Sequence, residues 1–200
     1  MRKPAVISVI ALLVAVVAFA QGVPNCPPAG FVSAAFSGTN TQSGRIFRDS
    51  IQSTCPSKVY PGIFNVGTIY NYETFTYNNT SGTTACVTVN FDPNVGTPPC
   101  STNAHASAYL GSYDPNNQAA NFVGDVGSSL TQPFSFDVPG GQSMVLVVTN
   151  TASQAVCGFA FQVVNLPCQV EAVPALSGGG ILALAALLAC AALWVLRLRG

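Results

Sequence analysis

The chain has 200 residues and a formal net charge of zero, and only 7% of its residues are charged, against about 25% in a typical soluble domain. Length admits one domain with tails, and the zero is a cancellation: Arg2, Lys3, Arg197 and Arg199 sit at the two ends, while the middle is acidic. Between the ends, Arg45, Arg48 and Lys58 face Asp49, Glu73, Asp92, Asp114, Asp125, Asp137 and Glu171, a net charge of −4. Nucleic-acid binding, which depends on clustered basic residues, is excluded as a function class.

At the N-terminus, Arg2 and Lys3 precede an apolar run over residues 5–19, interrupted by Ser8 and closed by Ala18-Phe19-Ala20. A basic start, an apolar stretch and an A-x-A site define a cleaved signal peptide over residues 1–20. The run is short for a bilayer crossing of about 20 residues.

The exported body is expected over residues 21–172, and it carries six cysteines: Cys26, Cys55, Cys86, Cys100, Cys157 and Cys168. An even number in an oxidising compartment reads as three disulfides. Six cysteines permit fifteen pairings; the expectation is nearest-neighbour pairing, Cys26 to Cys55, Cys86 to Cys100 and Cys157 to Cys168. Zinc knuckles would need closely spaced cysteine pairs or nearby histidines, and the body has neither.

Strand signals follow in chain order: residues 30–36, the aromatic and β-branched stretch 66–77, the alternating stretch 85–91, a short apolar segment 107–110, the alternating 134–138, the continuous apolar run 144–149 and the alternating 159–163. Asp92-Pro93-Asn94, Thr97-Pro98-Pro99, Asp114-Pro115-Asn116-Asn117 and Pro139-Gly140-Gly141 mark turns between them. No long amphipathic helix is readable in the body, so the expected fold is all-β, an antiparallel β-sandwich or jelly-roll ectodomain.

His105 is the only histidine, next to the turn at Asn103. No Gly-x-Ser-x-Gly elbow accompanies it, so it reads as a polar surface or turn residue, and the chain as a non-enzyme. No cofactor is required. A structural Ca²⁺ is the one metal to consider, since Asp92, Asp114, Asn116 and Asp125 supply oxygen ligands on neighbouring loops; Asx turns explain the same residues without a metal. Tyr60, Tyr70, Tyr72 and Tyr77, with Phe75, form a candidate aromatic patch for a surface glycan or a protein ligand; core packing accounts for the same residues.

At the C-terminus, Val173-Pro174-Ala175-Leu176-Ser177-Gly178-Gly179-Gly180 leads into an apolar stretch, with a transmembrane helix expected at about 179–196 and a basic tail carrying Arg197 and Arg199 on the cytoplasmic side. This motif, helix and basic cluster over residues 173–200 resemble the C-terminal sorting signals of bacterial surface proteins. Val173 to Ser177 is similar to the Ile-Pro-Thr-Leu type, with Val for Ile and Ala for Thr; Ser177 and the glycines equally resemble the Gly-Gly type. The resemblance implies the secretion machinery and a membrane-embedded sorting protease as partners, and a place at the cell membrane or cell surface. A plain C-terminal anchor is the alternative.

Within the body, Cys86-Val87-Thr88-Val89, the run from Ala108 through Pro115, Phe122-Val123-Gly124-Asp125, Phe136 through Gln142 and Val145-Leu146-Val147-Val148 resemble a secreted β-sandwich module of the complement-type adhesion or pre-peptidase C-terminal kind. Such modules bind or assist, which implies a displayed or secreted binding or structural module. A subunit or accessory component of a cell-envelope assembly is the alternative, and a secreted hydrolase a distant third.

Overall fold

The computed structural model describes residues 25–153 and 155–169. The signal peptide, the sorting motif, the transmembrane helix and the basic tail therefore lie outside the described residues. Among the described residues no helix is long and apolar enough to cross a membrane.

Among the described residues nine strands follow one another: β1 (Val32–Ala35), β2 (Thr41–Ile46), β3 (Ile63–Asn78), β4 (Ala85–Asp92), β5 (Ala104–Leu110), β6 (Phe122–Asp125), β7 (Gln132–Val138), β8 (Ser143–Asn150) and β9 (Gly158–Val164). They form two antiparallel sheets, ordered β1-β9-β4-β7 and β2-β3-β8-β5-β6. The all-β expectation holds, and every stretch read as a strand lies in or overlaps one. β2 and β6 were not among the stretches read as strands, and β5 begins at Ala104 rather than Ser107.

Period-two alternation places the core between the sheets. Val87, Val89 and Phe91 of β4, Phe134, Phe136 and Val138 of β7, and Phe159, Phe161 and Val163 of β9 are buried from one side. Ala104, Ala106 and Ala108 of β5 and Met144, Leu146 and Val148 of β8 face them. Small alanines on one sheet leave room for phenylalanines on the other, the interdigitation that close packing requires. Phe75 of β3 meets Phe161 at 4.5 Å between ring centroids, and Phe36 meets Phe159 at 5.1 Å. Burying one such side chain stabilises the fold by about 1.5–3 kcal/mol.

The outer face of the five-stranded sheet is also covered. Val145 and Val147 of β8 pack with Ile46 and Tyr109, against half-buried Tyr60, Tyr72, Tyr113 and Phe122. This explains the continuous apolar run of β8, since a strand buried on both faces has no reason to alternate.

Residues 47–62 form an irregular strap along one open side of the sandwich. Ser50, Ser53 and Lys58 donate their backbone N–H to the carbonyls of Gly127, Asp125 and Val123 at 2.9–3.0 Å, while the N–H groups of Ser135 and Asp137 in β7 donate to the carbonyls of Ser53 and Pro56 at 2.9 and 2.7 Å. The strap thereby satisfies polar edges of both sheets, which would otherwise invite pairing with another chain. Its approach is close: a Cβ on Gly127, whose φ is +72°, would stand 2.4 Å from the Ile51 carbonyl.

The disulfides are Cys26–Cys168, Cys55–Cys86 and Cys100–Cys157. This corrects the nearest-neighbour expectation at all six cysteines. The reason lies in strand order rather than spacing. Asn25 accepts a backbone hydrogen bond from Asn78 at the end of β3 and Pro167 one from Thr80 in the turn after it, so Cys26 and Cys168 meet there. Cys86 lies opposite Asp137 in the β4–β7 ladder, where the strap carrying Cys55 crosses. The Cys100 N–H donates to the Gly158 carbonyl at 2.9 Å, beside Cys157.

Candidate functional site

Beneath the strap lies a cluster of charged side chains on the outer face of β5 and β6. β5 alternates alanine inward with His105, Ser107 and Tyr109 outward, and Ser107 pairs with Asp125 of β6. Asp125 is fully buried. Lys58 Nζ donates to Asp125 Oδ1 and Asp49 Oδ1, both at 2.7 Å, and to the Ile51 carbonyl. The Lys58 side chain is itself only 11% exposed. One ammonium thus serves two carboxylates, one of them cut off from water.

Burial raises the Asp125 carboxyl to about 6, against the pull of Lys58 and the Gly127 N–H, which hold it down. His105 is nearly inaccessible, and burial lowers its imidazole to about 3, reinforced by Arg45, Arg48 and Lys58. It is therefore neutral at ordinary pH, and its 3.9 Å approach to Asp125 Oδ2 is not an ion pair. His105 Nε2 and Asp125 Oδ2 both lack hydrogen-bond partners. The sequence reading of His105 as a surface or turn residue is corrected: it is a strand residue whose outer face is roofed by the strap.

The body's three basic residues all act on this region. Arg45 is buried, donates to the Ile46 carbonyl at 2.9 Å and lies 4.4 Å over the Phe64 ring. Arg48 donates to Ser129 Oγ at 2.8 Å and the Thr102 carbonyl at 3.2 Å. Local pattern gave no signal for this convergence, because the lysine and arginines come from the strap and β2 while His105 and Asp125 come from strands far along the chain.

The four tyrosines do not form one surface. Tyr77 belongs to the inter-sheet core and Tyr70 is buried beside Arg45. Tyr60 packs edge-on against Phe122 in the outer cluster, and burial pushes its hydroxyl up to about 12. Tyr72 alone reaches an open surface. With Thr74, Thr76, Ser112 and Tyr113 it lines a shallow cleft of about 360 Å³, where its ring meets Tyr113 edge-on at 5.3 Å. Tyr113 donates its hydroxyl to Gln42 Oε1. The cleft offers aromatic edges and hydroxyls together, the mixture suited to a partly polar ligand.

The carboxylates considered for calcium do not converge. Asp92 Oδ1 accepts from the Asn94 N–H at 2.9 Å and Thr131 Oγ1 at 2.7 Å, and Asp114 Oδ1 accepts from the Asn116 N–H at 2.9 Å, an Asx turn. Asp125 is taken by Lys58. Among the described residues the one close group of metal-ligating types is Cys55, Cys86 and Asp137, and both its sulfurs are in a disulfide. No known protein family matches the chain, and no curated protein matches it either.

Proposed function

We propose that the chain is an exported, non-catalytic binding or structural module. The signal peptide of residues 1–20 is removed, and residues 21–172 stand outside the cytoplasm. Residues 173–200 anchor the body, transiently if a membrane-embedded sorting protease processes them. The observation that carries this reading is the set of three disulfides, which suits an oxidising compartment. Cys26–Cys168 adds a mechanical argument: it joins the segments next to the two targeting ends, so tension arriving from the C-terminal side is shared with the N-terminal segment instead of falling on β9 alone.

The strand orders β1-β9-β4-β7 and β3-β8-β5-β6 support a jelly roll, two interlocked four-stranded sheets, with β2 as an added edge strand. Jelly rolls serve in lectins among other proteins, and the Tyr72–Tyr113 cleft is where a glycan or protein ligand would sit. Protease treatment of intact expressing cells tests the export reading. It is expected to release peptides from residues 25–169. Release only after lysis, with all six cysteines reduced, would overturn the reading.

A subunit of a cell-envelope assembly is the second reading, favoured by the β2–β3 ribbon. There Ile63, Phe64, Val66 and Ile69 are each exposed, Val66 at 78%, with Phe47 of the strap 6.3 Å from the Phe64 ring, on a ribbon whose register breaks between Ser43 and Arg45. Exposed apolar patches of this kind mark interaction surfaces. Sedimentation of the exported protein separates the readings: a monomer that Val66→Asp leaves unchanged favours the stand-alone module, and an oligomer that it dissociates favours the subunit.

A further inference from the structure

We propose that Lys58 and Asp125 become joined by an amide bond between Lys58 Nζ and Asp125 Cγ, formed within the folded chain with Asp49 as the proton-transfer group. The proposal does not depend on the export reading. A nitrogen hydrogen-bonded at 2.7 Å to one carboxyl oxygen has the carboxyl carbon one C–O bond beyond it, and a turn of the carboxyl about Cβ–Cγ presents its face to the nitrogen, acyl substitution proceeding from separations of about 3–3.5 Å. Both partners are held from the backbone. The Lys58 N–H is bonded to Val123, and the Asp125 carbonyl accepts from both the N–H and the hydroxyl of Ser53. Effective concentrations of about 10⁵–10⁸ M for such positioned pairs replace the encounter that free amine and acid rarely achieve.

Burial brings the neutral form of the Asp125 carboxyl within easier reach. Transferring a proton from the ammonium to the fully buried carboxylate removes two charges from a site where desolvation makes a charge costly to keep. Burial already pushes the Asp125 carboxyl up to about 6. The Lys58 lone pair then attacks Cγ, and Asp49, whose Oδ1 also touches Nζ at 2.7 Å, takes a proton from the nitrogen and returns it to the departing hydroxyl. The N–C bond forms, a C–O bond breaks and one water leaves, with no oxidant or other reactant. Asp49 is part-exposed, at 22% of its side chain, which gives the water and the proton an exit. The amide dissolves the buried charge pair and adds a fourth covalent brace, fixing the strap to β6.

The sequence makes the test decisive. Lys58 is the one lysine between the signal peptide and the C-terminus, no Lys or Arg lies between it and Arg197, and the only glutamates are Glu73 and Glu171. The full-length protein is folded, denatured, reduced and alkylated, then cut after Lys, Arg and Glu. A free Lys58 yields separate peptides 49–58, 59–73 and 74–171. The amide blocks cleavage after Lys58 and yields 49–73 joined to 74–171, lighter than their sum by one water. The joined species is expected to carry nearly all of the material, with fragmentation placing the bond at Asp125. In Asp49→Asn, with native disulfides verified by non-reducing mapping, peptide 49–58 is expected to appear with a loss of the joined species of tenfold or more. Stoichiometric peptide 49–58 from the folded wild type, or a link located at Asp49, would overturn the proposal, and an undiminished link in Asp49→Asn would overturn the role given to Asp49.

Discussion

Gly96 and Gly158 meet backbone to backbone, with no side chain between them. A Cβ built on Gly158 would stand 2.8 Å from the Gly96 Cα, and one on Gly96 would stand 2.7 Å from the Gly158 Cα. The approach lets the 93–100 turn lie on the start of β9, where Gly158 donates to the Pro98 carbonyl and accepts from the Cys100 N–H, both at 2.9 Å. Gly158→Ala is expected to lower stability by about 1–3 kcal/mol, the usual cost of forcing an extra carbon into a filled space. Gly141→Ala is the control for position rather than residue type, since its Cβ meets nothing within 4 Å even though its φ of +74° carries a backbone strain of its own. Chemical denaturation of the two variants measures the difference, with Gly158→Ala the weaker.

Removing Cys26–Cys168 tests the longest covalent closure, spanning 142 residues of sequence. The double substitution to serine is expected to cost about 2–5 kcal/mol, or roughly 5–15 °C in Tm for a body of this size. Calorimetry of the oxidised proteins reads it directly. The β1–β9 and β4–β9 ladders remain in place, so the variant is expected to fold with the other two disulfides correctly paired.

Acid sensitivity follows from His105. Its folded imidazole is held down to about 3 against an ordinary 6.5. The unfolded chain therefore takes up a proton below about 6.5 that the folded chain refuses. The contribution is fully present above that pH and is lost as pH falls toward 3, at up to about 1.4 kcal/mol per pH unit. A free Asp125 opposes it, because a carboxyl raised from 3.8 to about 6 contributes stability that is present below 3.8 and lost as pH rises through 6. An amide at Asp125 abolishes that opposing contribution. Denaturation midpoints from pH 7 to pH 4.5 are expected to fall in the wild type and to flatten in His105→Gln, the slope being the readout.

The proposed C-terminal processing is open to mass spectrometry. If residues 173–200 are a sorting signal, protein recovered from the cell surface is expected to lack Arg197 and Arg199. A surface population retaining both would make the tail a plain anchor.

Much of the fold was legible because β4, β7 and β9 carry alternation, β3 is rich in aromatic and β-branched residues, and β8 carries a continuous apolar run. β2 was not, since Thr41-Gln42-Ser43-Gly44-Arg45 buries polar groups by hydrogen bonding: Gln42 reaches the Gly44 carbonyl at 3.0 Å, and Gln118 reaches it at 3.3 Å. Disulfide pairing was illegible for a related reason, as it depends on which strands become neighbours and not on local spacing. The site was legible only in fragments. Asp125 stood out as a ligand-type residue, but its company turned out to be Lys58 and Asp49 rather than Asp92, Asp114 and Asn116. His105 looked exposed because its roof comes from a strap more than forty residues earlier in the chain.

The central claim, a sandwich built for an oxidising compartment and closed by its disulfides, is tested most directly by non-reducing peptide mapping of the protein recovered from outside the cytoplasm, with free thiols blocked at lysis. The account predicts Cys26–Cys168, Cys55–Cys86 and Cys100–Cys157, with no blocked thiol at any of the six. Thiols that take up the blocking reagent, or Cys100 linked to Cys86, would contradict it.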